Sequence, residues 1–334
     1  MTAFTEDLEV AARRTGFSGA VLVDTAGSVD TAATYGRADR RSGTAVEPAT
    51  QFGLASGTKL FTALTVMSLV ESGLLRLDLR VRELLANDLP LVDDDVTIEQ
   101  LLSHRSGIGD YLDESLLDDI TDFELPVPAQ RLSSTERYLP ILDGHRQVSA
   151  PGAQFAYNNG GYVVLALVAE RAAGRPFDIL VGERVCAPAA LGATAFLRSD
   201  ELPSSAAVGY LDAEGLRTNV FHLPVLGSGD GGIYSTVGDV SAMWRAFVAG
   251  RIVSVDTVQQ MLRPRRGAAT HELDYGLGLW LHPDDDLLEI HGYDAGVSFY
   301  SVHSLGSATT CTAVSNTGRG TWPLQELLLR RVRE

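Results

Sequence analysis

The chain has 334 residues, 45% of them hydrophobic and 7% aromatic, with 43 acidic side chains against 27 basic ones. That length suits about two domains, or one large domain with an insertion, and a charged fraction of 21% belongs to a globular protein rather than a disordered one. A formal charge of −16 argues against nucleic acid as a partner, because phosphate binding needs clustered positive charge.

Residues 5–14 predict a first helix, and their mix of acids and arginines lacks the basic start and apolar core of a signal peptide. Residues 19–24 are apolar and β-rich, then come turn residues 25–28 and a second extended piece toward Tyr35, which predicts a hairpin. Residues 60–75 are apolar on nearly every face, as a central buried helix would be, yet the run is too short to cross a membrane. Residues 96–102 and 162–173 have helical spacing, the second bounded by Gly160-Gly161 and Gly174. Residues 275–281, 287–290, 297–303 and 309–315 are strand-like, and an amphipathic segment over 324–332 closes the chain. Strands at both ends with helices between them predict an α/β (α+β) fold. One antiparallel sheet is built from residues 1–75 and 230–334, and a mostly helical inserted domain spans 76–229. The default site is the cleft between them. Cys186 and Cys311 have no ligand spacing and read as buried apolar residues. The expected setting is the cytoplasm, with neither membrane nor nucleic-acid partners.

Of the 27 basic residues 26 are arginine, and the single lysine is Lys59. Arginine keeps its proton in proteins, whereas a buried lysine can lose one. Lys59 stands three residues after Ser56 at the start of the buried helix, a spacing that places both on one helical face, with Cβ atoms roughly 5–6 Å apart. A serine hydroxyl needs a nearby base to become a nucleophile, and a desolvated lysine can be that base. Free N–H groups at the helix start suit a developing oxyanion. A second element, Tyr157-Asn158-Asn159, precedes the helix of residues 162–173. Its phenol can relay the proton of the Ser–Lys pair, and the Asn159 amide can bond an acyl group.

With Ser56-Gly-Thr-Lys59 as an SxxK motif and Tyr157-Asn-Asn159 as a YxN motif, the chain resembles the class C β-lactamase-like serine hydrolases. That family includes D-Ala-D-Ala carboxypeptidases, D-aminopeptidases, acyltransferases and family VIII carboxylesterases. Residues 101–107 (LLSHRSG), 231–236 (GGIYST) with Asp239, and 275–280 (YGLGLW) match further family stretches in the same order. The resemblance implies a mixed α/β domain with a helical insertion. It also implies Ser56 as the acylated nucleophile, Lys59 and Tyr157 as proton carriers and Asn159 as a substrate contact. No metal or cofactor is implied.

The third family motif, Lys-Thr-Gly or His-x-Gly, is where the sequence departs. Aligned without a gap on Gly292, Ile290 takes the cationic position and His291 the middle one. A one-residue slip puts His291 in the cationic position but replaces the motif glycine with Tyr293. In the ungapped register, preferred here, the Tyr293 N–H joins that of Ser56 in an oxyanion hole, and His291 is either a polar contact in the pocket or structural. An uncharged Ile290 implies a weak clamp for a substrate carboxylate. An esterase of neutral carboxylic esters is therefore expected, with amidase, weak β-lactamase or acyltransferase chemistry open beside it. The alternative of another class is a hydrolase-like module that binds a ligand or partner without turnover.

Several features are set aside. The acidic runs 93–95 and 284–286 lack the spacing of a calcium loop. No GxSxG elbow surrounds Ser56. The glycine-rich 227–232 lacks the GK[ST] ending of a phosphate loop. His104 reads as structural, and 111–127 as a lid or cleft wall.

Overall fold

The computed structural model describes residues 3–265 and 273–334. Helix α1 (Ala3–Thr15) leads into the hairpin β1 (Gly19–Thr25) and β2 (Ser28–Tyr35), closed by Ala26 and Gly27, both at positive φ. Positive φ at both central positions is the backbone of a type I′ turn, whose twist matches the strands it joins. A short strand β3 (Phe52–Gly53) and one 3₁₀ turn (Ala55–Gly57) precede α2 (Thr58–Glu71). Helix α3 (Ile98–Leu102) opens on a capping box between Thr97 and Gln100. Helix α4 (Asn159–Ala173) is capped by the Asn158 side chain and stopped by left-handed Gly174. Strand β5 (Ile233–Ser235) pairs with β3 on one side and with β4 (Ala195–Phe196) on the other, and α5 (Val237–Val248) follows. The chain ends with β6 (Asp274–Tyr275), β7 (Trp280–Leu281), β8 (Leu287–Asp294), β9 (Val297–Ser304), β10 (Thr309–Ser315) and α6 (Trp322–Arg333).

The main sheet has seven strands in the order β2-β1-β10-β9-β8-β7-β6, every pairing antiparallel, so both chain ends build it as expected. Every residue of β9 and β10 is buried because helices cover both faces. On one face Val21, Val23, Tyr300, Val302 and Ala313 pack against Leu8 of α1 and Leu324, Leu327 and Leu328 of α6. On the other, Ala20, Leu22, Ile290, Phe299 and Val314 join the larger core with α2, α4 and α5. Helix α2 is buried nearly all round, from Thr58 to Met67 and at Leu69. That explains why its sequence has no polar face. Cys186 and Cys311 are free and buried. Among the described residues no helix is long and apolar enough to cross a membrane.

One predicted strand is corrected. Residues 275–281 form two strands and the turn between them, with Tyr275 opposite Trp280 and the Gly276 N–H bonded to the Leu279 carbonyl. The cause is Gly278, at φ +94°, which lies against α2: a Cβ there would stand 2.3 Å from that of Ala63. Strain and overlap both forbid a side chain at this position. Gly278→Ala is therefore expected to lower the thermal midpoint by several degrees in a calorimetric scan. An unchanged midpoint would show that this turn does not seat α2.

Candidate active site

Ser56 lies in the 3₁₀ turn that opens α2, not in the α-helix itself. The residue before it, Ala55, has φ +44°, a costly conformation for a residue with a Cβ. The turn is held by Thr58, whose hydroxyl donates to the Ala55 carbonyl (2.7 Å) and accepts from the Ile233 N–H (3.2 Å). Lys59, 2% exposed, brings its Nζ to 2.8 Å from Ser56 Oγ, 2.8 Å from Asn159 Oδ1 and 2.9 Å from the Asp230 carbonyl. Two of those neighbours are pure acceptors, and the third is a hydroxyl. The nitrogen is thus held among three oxygens, donating to the two carbonyl oxygens and lying in hydrogen-bond contact with the Ser56 hydroxyl, whose proton it can take once it is itself deprotonated. Burial pushes the Lys59 ammonium below its usual 10.5, against the opposing pull of Asp230, Glu114 and Asp110.

Tyr157 is half-buried, with its ring centroid 4.9 Å from Lys59 Nζ and its phenol hydrogen-bonded to Ser56. Burial drives that phenol well above its usual 10, so it stays protonated and can relay a proton but is a poor resident anion. Its ring lies 4.4 Å from that of His104 and stacks at 6.3 Å on Trp280. Buried His104 holds the loop from below. Its carbonyl accepts from the Ala156 N–H (2.8 Å) and its Nδ1 from the Asn158 N–H (3.1 Å). With Nδ1 as acceptor the ring is neutral, and burial first, then Lys59, keeps its pKa far below 6.5.

Asn159, expected as a substrate contact, lines both cavities that reach Ser56 and also braces the amine. Besides accepting from Lys59, its amide donates to the Leu112 carbonyl and to Glu114 Oε1, both at 3.0 Å, so it orients the amine. Asp110 accepts from the Asn159 and Gly160 N–H groups (2.6 and 2.8 Å) at the start of α4. The Tyr111 phenol donates to Asp230 at 2.5 Å. Glu114 lies in the segment read from sequence as a lid or cleft wall, Asp110 just before it, and Asp230 in the glycine-rich stretch. Nothing in either string marks a buried role, although the glycines let the 229 and 230 carbonyls reach Thr62 and Lys59.

Strand β8 runs beside the nucleophile turn. Its alternation turns Ile290 and Gly292 toward the core face that carries α2, with Glu289, His291 and Tyr293 on the opposite face. A Cβ on Gly292 would stand 2.2 Å from the Leu54 carbonyl oxygen and 2.8 Å from the Ser56 nitrogen. His291 stacks on Trp280 at 5.7 Å and its Nδ1 lies 2.8 Å from Glu289 Oε1. Glu289 Oε2 meets His282 Nε2 (3.1 Å) and accepts from the Tyr300 phenol (2.9 Å). Burial alone would raise Glu289, but its bonds to His282, His291 and Tyr300 outweigh it and hold the carboxyl near 2.

Two cavities meet at Ser56. The wider, of about 720 Å³, also touches Tyr157, Asn159, His291 and Tyr293. The narrower runs under Phe123, Leu223 and Tyr234 to Asp230 and Asp294. Their walls include Asp110, Asp113, Glu114, Asp230, Glu289 and Asp294, and among the described lining residues there is no arginine.

The family model described as Beta-lactamase matches residues 4–323, and the chain belongs to this family of serine hydrolases. It is 25% identical over 305 residues to PbpX of Bacillus subtilis (strain 168), covering 90% of this chain and 71% of that one. It is 34% identical over 194 residues to esterase EstB of Burkholderia gladioli, covering 54% of this chain and 46% of the relative. The crystal structure of a penicillin-binding protein from Bacillus halodurans superposes with a TM-score of 0.90 at 31% identity, over 98% of this chain and 99% of that one. The alignments thus take in under half of EstB and about seven tenths of PbpX.

Two outcomes test this geometry. Gly292→Ala should displace the Ser56 turn, lowering both thermal midpoint and turnover; a folded variant with normal turnover would separate β8 from the nucleophile. Burial lifts the Asp294 carboxyl to about 7 from its usual 3.8. A carboxyl raised in the folded state costs stability above that pKa, and the cost fades as pH falls through 7 toward 4. Asp294→Asn should therefore raise the thermal midpoint at pH 8 and lose that gain by about pH 4. Equal gains at both pH values would contradict the assignment.

Proposed function

We propose that this protein hydrolyses neutral carboxylic esters through an acyl-enzyme on Ser56. The observation that carries the substrate class is the charge of the cleft: six carboxyl groups line the two cavities, no arginine does, and Ile290 is buried in the core. Burial draws Asp110, Asp230 and Asp294 toward their neutral forms, but the remaining carboxylates, with no cation to oppose them, disfavour an anionic β-lactam or a peptide carboxylate and leave a neutral ester unopposed. In this reading the Lys59 amine takes the Ser56 proton as Oγ bonds to the ester carbonyl carbon. The Ser56 and Tyr293 N–H groups receive the oxyanion. Lys59, through the Tyr157 phenol, then passes the proton to the departing alkoxide. Release of the alcohol leaves the acyl group on Ser56, and water later removes it. Amide hydrolysis and acyl transfer to an alcohol or amine use the same machinery, and the acceptor decides between them.

The test is a pair of substrates. p-Nitrophenyl butyrate should be cleaved at a kcat/KM at least 100-fold above that of a chromogenic cephalosporin, and the reverse ranking would overturn the substrate class. Lys59→Arg retains the charge but offers no base, so it should lower acylation by a factor of 100 or more in a folded protein. Near-normal turnover in that variant would remove lysine from the mechanism.

A further inference from the structure

We infer that His291, oriented by Glu289, is the general base that activates the water of deacylation. This rests on the acyl-enzyme reading above and adds, outside the Ser–Lys–Tyr group, a base for the water that approaches from the open cleft. The Lys59 amine has both N–H directions fixed by Asn159 and Asp230, and its remaining direction is toward Ser56 Oγ. The amine therefore faces the serine oxygen and reaches the open cleft only through the Tyr157 phenol. The Tyr157 phenol, buried and stubbornly protonated, is a weak acceptor for a water proton.

His291 has what both lack. Its ring is half-exposed in the wider cavity that also holds Ser56. Its Nδ1 side is occupied by Glu289, itself locked by His282 and the Tyr300 phenol. A carboxylate on Nδ1 fixes the tautomer with the proton there and leaves the Nε2 lone pair free. Trp280 stacks flat against the ring and sets its plane. A carboxylate, an imidazole and an open lone pair in the cavity that Ser56 also lines form the orienter–base pair that water activation requires.

The step balances without a co-reactant. Nε2 takes one water proton as the water oxygen bonds to the acyl carbon. The tetrahedral intermediate collapses with cleavage of the bond between that carbon and Ser56 Oγ. Oγ recovers a proton from the new carboxylic acid through the Lys59 amine, and the imidazolium returns its own to solvent. The products are a carboxylate, one proton and free Ser56.

Pre-steady-state hydrolysis of p-nitrophenyl butyrate by the full chain tests this. His291→Asn should still release a burst of about one equivalent of nitrophenol, then turn over at least 100-fold more slowly than the parent. Butyryl-Ser56 should accumulate by intact mass, and hydroxylamine, which attacks esters without a base, should restore release. Glu289→Gln reports orientation. With the carboxylate gone the ring loses the partner that fixes its tautomer, so kcat should fall while the nitrophenol burst remains. The ionisable groups facing the ring are Glu289 and Tyr293 on its own strand, His282 beyond β7, Tyr300 on β9, and Tyr157, Asp110 and Glu114 across the cleft. Because Glu289 is buried and its variant can fail to fold, the half-exposed His291 variant carries the decision. Steady-state turnover of His291→Asn within threefold of the parent, with no accumulated adduct, overturns the assignment. Absence of any acyl-Ser56 in both the parent and His291→Asn, with nitrophenol still released, overturns the acyl-enzyme reading as well, which separates the two failures.

Discussion

A single amine held out of water organises this site. Helix α2 is apolar on all sides because it runs through the middle of the larger core, and that same burial strips Lys59 of solvent. An ammonium there would be costly. Burial therefore lowers its pKa, and three oxygen partners hold the nitrogen in place. The supporting parts serve this arrangement. Asn159 and the 230 carbonyl fix the N–H directions, Asp110 seats the start of α4 that carries Asn159, and His104 holds the Tyr157 turn from beneath. The strained Ala55 and the Thr58 bonds set the hydroxyl at the helix entrance.

The second constraint is the close passage of β8. With only a hydrogen at Gly292, the strand lies against the Leu54 carbonyl and the Ser56 nitrogen. Strand alternation then places Ile290 in the core and His291 in the cleft. Chemistry lost at the cationic position thus reappears on the other face as a carboxylate-oriented imidazole. The acidic walls give the cleft a field opposite to the one that a carboxylate-binding relative would need.

Much of this was legible in the sequence. The hairpin of β1 and β2 followed from its apolar run and turn residues, α2 from its unbroken apolar stretch, and the Ser–Lys face from three-residue spacing. The 275–281 turn was missed because the need for Gly278 arises from a contact with Ala63, some 215 residues earlier in the chain. Long-range contacts of that kind leave no local pattern. That Asn159 also orients Lys59 was not legible, because its bonds to Lys59, Leu112 and Glu114 come from three separate segments. His104 looked structural, and its bonds to the Tyr157 loop are structural, but they bear directly on the proton carriers. Asp110, Asp230 and Glu289 were invisible as site residues, since an isolated acid in a loop or strand reads as a solvated charge.

Having one lysine makes the central claim directly measurable. With ¹³Cε-labelled lysine, the protein gives a single side-chain resonance whose shift reports the protonation of Lys59. The account predicts a midpoint well below the ordinary lysine value near 10.5, returning toward that value when the chain is unfolded. A folded protein whose lysine titrates at its ordinary value would mean that the amine is solvated and charged, and Ser56 would have no base.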